Sequence, residues 1–168
     1  MQLPKLHTEP RGAFYMLGTS IYLCQLVEKQ MARITTMWEM LTGKRPRNKN
    51  FNVTYEDAME KRLKQNLGKL IPQFKSALPV SEFEVLIEDA RKARNWIAHH
   101  SLVENAKFLY SQDGELKAIE LLKEASLKVY RLLRALDEID DAICERLGYS
   151  RDQRLKDYIE DIKTFMNG

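Results

Sequence analysis

The chain has 168 residues, 44% of them apolar and 30% charged, with a formal net charge of +3. That length suits a single domain with a proper core, and that balance excludes an intrinsically disordered chain. So small a positive charge does not by itself announce a nucleic-acid-binding protein. Seven glycines and five prolines leave little for the many turns of an all-β fold. No uncharged apolar run approaches the roughly 18–20 residues that span a bilayer.

The opening MQLPKLHTEPRG has no apolar core before a small-residue cleavage site. It reads as an irregular segment over 1–12 rather than a secretory signal. From Ala13 to about Leu41, Leu17, Ile21, Cys24, Val27, Met31, Ile34, Trp38 and Leu41 keep the three-and-four spacing of a buried helical stripe. Such a helix would run about 40 Å, at about 1.5 Å per residue. Gly43 ends it, and GKRPRNKN follows as a polar loop. Within that loop Lys44, Arg45, Arg47 and Lys49 are candidate contacts to RNA phosphates, with a solvated connector as the plainer reading.

Thr54 with Asp57 predicts a helix start, and the helix continues to about Leu67. In NLGKLIPQF, Gly68 and Pro72 imply a break or kink before another turn of helix, which Pro79 closes. Ser81 with Glu84 makes a capping-box pattern that opens the third helix. Over 105–118 the tetrapeptide SQDG predicts either a short hairpin or a loop. From about Glu115 to Leu147, Val129, Leu132, Leu136, Ile139 and Ile143 carry a long amphipathic helix, with Leu133 and Leu147 beside them. Asp137, Glu138, Asp140 and Asp141 flank that stripe and read as a solvated face. Gly148 stops the helix. Ser150 caps a last one, with Leu155, Tyr158, Ile159, Ile162 and Phe165 facing inward. The expectation is one all-α domain over 1–168, a bundle of about five helices. Cys24 and Cys144, both on or near apolar faces, are expected to be buried free thiols, which suits a reducing cytoplasm. Trp38 and Trp96 sit at helical spacings that read as core or interface.

The third helix carries the chemistry. Phe83, Leu86, Ile87, Ala90, Ile97 and Ser101 gather on one face at about 100° per residue, and Arg94 falls in the middle of it. A guanidinium there is costly unless paired, or unless that face meets a wet cleft or a second subunit. The simplest partner is a glutamate from a neighbouring helix. His99 and His100, two of only three histidines, point about 140° and about 120° away from Arg94 on opposite sides. The helix must therefore end or bend near Ala98, or a second copy must complete the site. No HExxH or CxxC spacing accompanies the histidines, so neither metal nor cofactor is expected.

RNWIAHH resembles the signature of the HEPN superfamily (higher eukaryotes and prokaryotes nucleotide-binding domains), written R-N-x-x-x-H. Arg94, Asn95 and His99 match it, and His100 is a second histidine within the allowed spacing. The LGKLI element and the surrounding helices also look like members tied to phage defence and toxin–antitoxin systems. The resemblance implies a homodimeric helical domain that cuts RNA without a metal, with Arg94, Asn95, His99 and His100 as its catalytic set and an antitoxin as a possible partner. Such chemistry suits these side chains: the nucleophile is the RNA 2′-hydroxyl, an imidazole moves the proton, and a guanidinium steadies the phosphate charge. Asn95 would orient the imidazole or hold the phosphate. Some antitoxin-controlled relatives carry a tyrosine two positions after the motif histidine as a target for nucleotide attachment. Ser101 stands there instead. Other members only bind nucleotides or scaffold complexes. The competing expectation is accordingly a noncatalytic interaction or nucleotide-binding domain in which Arg94 is structural.

Overall fold

Six α-helices and one 3₁₀ turn make up almost all of residues 11–43, 51–78, 81–105 and 111–148, the part that a computed structural model describes. They are α1 (Arg11–Leu41), α2 (Phe51–Leu63), α3 (Leu67–Ala77), the turn Ser81–Phe83, α4 (Glu84–His99), the single-turn α5 (Ser101–Asn105) and α6 (Gln112–Arg146). No strand occurs among the described residues. The all-α bundle expected from the sequence is the fold. Among the described residues no helix is long and apolar enough to cross a membrane.

The two long helices, α1 and α6, run side by side in the same direction. Glu115 accepts the Gly12 amide, Ser126 meets Ser20, and Asp140 takes the Arg33 guanidinium, so contacts advance together along both helices. Ser20 donates its proton to the Met16 carbonyl at 2.7 Å. A hydroxyl has one proton to give, so Ser126 is the donor in the 2.7 Å pair between them. Parallel neighbours need the chain to return between them, and α4 does this, packing antiparallel across both. Phe83, just before its first residue, shares a groove with Trp38 and Ile139, and its later residues share one with Leu121 and Lys128. Val27, Met31, Ile34, Phe74, Ile87, Ile97, Val129, Leu132 and Leu136 form the core between these layers. Each such side chain contributes about 1.5–3 kcal/mol by leaving water.

Several elements begin elsewhere than the sequence patterns suggest. α2 starts at Phe51, which places Thr54 inside the helix rather than at its cap. The break after α2 falls at residues 64–66, upstream of Gly68 and Pro72. Asn66 causes this by accepting the Lys69 amide at 3.2 Å, so the helix restarts before the glycine. Pro72 is then carried inside α3, on its exposed side. The Ser81 capping box does not form: a 3₁₀ turn intervenes and α4 has no side-chain cap. Ser111 caps α6 by accepting the Gly114 amide at 3.1 Å, so SQDG opens a helix and not a hairpin. Residues 106–110, the basic loop with Lys44, Arg45, Arg47 and Lys49, and the last helix expected from Ser150 all lie outside the described residues.

Two side chains depart from their expected environments. Ile21 is 40% exposed, because Ser20 turns toward α6 and rotates its neighbour outward. Asp140 is not solvated but 4% exposed. It takes the Nε of Arg33 at 3.1 Å, and the same guanidinium also reaches the Cys144 sulfur at 3.7 Å.

Candidate functional site

Arg94 leaves α4 toward α1, where Glu28 waits on the flank of the buried stripe. Both Nε and Nη2 of Arg94 donate to Oε1 of Glu28, at 3.2 and 3.1 Å. The glutamate from a neighbouring helix is thus found. The pair is not sealed, for the two side chains keep 22% and 21% of their surfaces in contact with solvent. Both donors converge on one carboxylate oxygen, and Nη1 of Arg94 makes no hydrogen bond among the described residues. Among the described residues one edge of the guanidinium is therefore unspent.

Cys24, one turn before Glu28 on α1, packs beneath this pair. Burial pushes its thiol up to about 11, against a smaller lowering by the Arg94 charge and a further raising by Glu28. The thiol is therefore neutral at physiological pH and a poor nucleophile. Cys24 and Cys144 are both buried and free, as expected. Stability should follow the thiol. Above 9.0 an unfolded Cys24 ionises, while the folded one keeps its proton until about 11. The stabilisation, whole below pH 9, fades between those values. It amounts to on the order of 2 kcal/mol. Urea titrations from pH 8 to 11 should show a steeper alkaline loss for the parent chain than for Cys24→Ala.

α4 ends at His99, and His100 occupies the turn before α5. The chain hardly changes course there. The His100 amide still reaches the Trp96 carbonyl at 2.9 Å, and Ser101 Oγ donates to the Ile97 carbonyl at 2.6 Å. This is the interruption anticipated near Ala98. Both imidazoles are exposed, as is Ala98. His99 and Asn95 make no side-chain hydrogen bond among the described residues, and Asn95 is half-buried. His100 Nδ1 lies 3.7 Å from Glu104 Oε1, an ion pair only while the ring is protonated. Glu104 Oε2 accepts the Trp96 indole N–H at 2.7 Å.

Within one protomer, then, the motif splits between two faces of α4. Arg94 faces α1, while Trp96 and His100, four residues apart, share the other side with Glu104. No hydrogen bond or ion pair joins Arg94 to either histidine among the described residues. Comparison of the chain with protein-family models, with curated proteins and with solved structures returned no match. The weight of any functional reading rests on these side chains.

Sequence reasoning named neither Glu28 nor Glu104. A signal for Glu28 existed: it stands four residues after Cys24 and three before Met31, an acid on an apolar helix flank. Beyond the motif, the outer face of the first half of α1 is unusually apolar. Phe14, Tyr15, Ile21 and Tyr22 are 52%, 78%, 40% and 59% exposed. Among the described residues nothing stands within 4 Å of where a Gly18 side chain would begin. Phe14, Ile21 and Glu28 are spaced by seven, so they follow one line along α1 that ends at the Arg94 pair. Among the described residues no three His, Cys, Asp or Glu side chains are grouped to hold a metal ion.

Proposed function

We propose that this chain is a metal-independent endoribonuclease of the HEPN type. It would act as a cytoplasmic homodimer in a toxin or phage-defence setting, held in check by an antitoxin. The observation that carries this reading is the state of the motif helix. Arg94 is held by one carboxylate oxygen, its Nη1 has no partner among the described residues, and both imidazoles at the end of α4 are exposed. A single protomer does not bring these groups onto one phosphate, so the reading requires a second copy. The exposed line Phe14–Gly18–Ile21 supplies a face for it: exposed apolar surface of this kind marks association sites. A twofold contact along that line would place each Arg94–Glu28 pair near the partner's copy of the same patch.

The reading further requires that His99 or His100 of the partner subunit reach that cleft, where an imidazole takes the proton of the RNA 2′-hydroxyl and the oxygen bonds to the adjacent phosphorus. The bond from phosphorus to the 5′-oxygen breaks, and a second imidazole returns a proton to that oxygen. The products are a 2′,3′-cyclic phosphate and a 5′-hydroxyl. The Nη1 edge of Arg94 binds the phosphate oxygens as their charge grows, and Asn95, the next residue on α4, would orient a ring or a phosphate. The basic loop with Lys44, Arg45, Arg47 and Lys49 would add nonspecific phosphate contacts.

The Arg94–Glu28 pair itself favours a second reading, a noncatalytic interaction or nucleotide-binding domain in which that pair only joins α4 to α1. The two separate in one assay. The purified chain is incubated with single-stranded RNA in excess EDTA, and the ends of the fragments are identified. Fragments with cyclic phosphate ends, lost in His99→Ala or His100→Ala, support the nuclease. Intact RNA at every protein concentration, from a chain shown to be folded, supports the noncatalytic domain. Ile21→Lys should lower both dimer mass and cleavage together. Toxicity on expression that the same substitutions relieve would place the protein in the toxin class.

A further inference from the structure

A groove of about 250 Å³ runs between α4 and α6, lined by Lys92, Ala93, Trp96, Leu121, Glu124, Ala125 and Lys128. Trp96, expected to be core or interface, is half-buried and forms one wall of this groove. Its indole N–H is spent on Glu104, while Leu121, Ala93 and Ala125 supply the apolar surface facing it. The result is a flat apolar slot. Drug-sized ligands occupy roughly 300–1,000 Å³, so this slot fits something smaller, of the size of one nucleobase.

Two ammonium groups stand at its rim. Lys92 lies 3.7 Å from Glu88 and Lys128 3.5 Å from Glu124, each within its own helix. Exposed pairs of this kind hold their partners weakly, so both cations remain open to a phosphate. Among the described residues Glu124 is the one carboxylate on the wall, and it sets a limit on how much negative charge the slot accepts. On the motif side, Glu104 joins the slot to the candidate site, since it takes the Trp96 N–H and faces His100.

We infer that this groove is a nucleotide subsite: Trp96 stacks against one base of a single-stranded RNA whose phosphates meet Lys92 and Lys128. It deepens the nuclease reading and rests on it for the identity of the ligand. The subsite sets a neighbouring phosphate beside His100 and gives the RNA a fixed register on α4. Stacking on an aromatic ring tolerates any base, so the subsite selects single strands over duplex and carries little sequence preference.

The test uses an uncleavable 2′-O-methyl oligonucleotide and the full chain carrying Trp38→Phe, which leaves Trp96 as its indole. Titration should quench the Trp96 emission to saturation. Lys92→Ala and Lys128→Ala together should weaken binding and reduce the slope of log affinity against log salt by about 1.4. Leu121→Glu, a change at the slot wall, should cost about tenfold to hundredfold in affinity. Absence of binding, binding without any change in Trp96 emission, or indifference to the lysine and Leu121 substitutions would each overturn the subsite. The two proposals fail separately. A chain that binds with Trp96 quenching but never cuts RNA retains the subsite and loses the nuclease. A chain whose cutting ignores all three substitutions does the reverse.

Discussion

Arg94→Ala should abolish RNA cleavage while leaving most of the fold's stability in place. Removing a single donor from a developing anion lowers rates by about 10²–10³, and a guanidinium on a phosphorane-like transition state belongs to that class. The stability cost is bounded by the solvent around the pair. Breaking a sealed ion pair costs about 3–5 kcal/mol, and an exposed one about 0–1. The Arg94 and Glu28 side chains are 22% and 21% exposed, so water can reach the carboxylate left behind. A loss of about 1–2 kcal/mol follows, and a fall in melting temperature of about 2–8 °C for a chain of this size. Arg94→Lys sharpens the contrast, because it keeps the charge and loses the planar fork. It should melt close to the parent and still cut poorly. In a stability cycle, Glu28→Ala and Arg94→Ala should share most of their cost, the double variant losing little more than the worse single one. Parent-like cleavage by folded Arg94→Ala would remove the guanidinium from the mechanism. Collapse of the fold in both Arg94 variants would make the pair a structural strut.

The fold was legible wherever a helix buries a continuous stripe. Val27, Met31, Ile34, Val129, Leu132 and Leu136 could be assigned to the core from spacing alone, since a 3.6-residue period leaves few alternatives. Helix ends were not legible to the same degree. They depend on which polar side chain reaches a backbone amide: Asn66 and Ser111 do so at the starts of α3 and α6, whereas Thr54 falls inside α2 and Ser81 does not cap α4. Nor was the fate of a charge near the stripe. Asp140 is buried because Arg33 happens to lie across from it on a parallel helix, and parallel pairing is a tertiary fact that no local window holds. The motif on α4 was readable as a cluster of residue types, and its interruption near Ala98 followed from the angles between them. That Arg94 and His100 face different neighbours also follows from those angles. What the spacing lacked was the identity of each neighbour, Glu28 on one side and Glu104 with the α6 groove on the other.

Glu39→Ala should be among the most destabilising substitutions available in the described fold, and more so than loss of the arginine it serves. Arg62 projects from α2 into the side of α1 and is 4% exposed. Its Nη2 donates to Glu39 Oε1 at 2.6 Å and its Nη1 to Thr36 Oγ1 at 2.8 Å. Its Nε is buried with no partner among the described residues, a group already bearing a desolvation penalty of about 1–3 kcal/mol. Remove the carboxylate and a buried cation loses its counter-charge, at a cost of about 3–5 kcal/mol. Domains of this kind hold only about 5–15 kcal/mol in all. Arg62→Met is the gentler change, for it removes the charge and the orphan Nε together and fills the space with a flexible apolar chain. Thr36 keeps its own donation to the Ala32 carbonyl at 2.8 Å. Glu39, with a side chain 20% exposed, also keeps an interaction besides Arg62. Arg62→Met should therefore lie within about 1 kcal/mol of the parent. Glu39→Ala should melt about 10 °C below it, at roughly 2–4 °C per kcal/mol. Because Arg62 ties α2 to the half of α1 beyond Glu28, the melt should be one cooperative transition, with cleavage by the surviving folded fraction unchanged. Equal melting temperatures for the two variants, or the reverse order, would mean that the cation is far better hydrated than its surroundings allow.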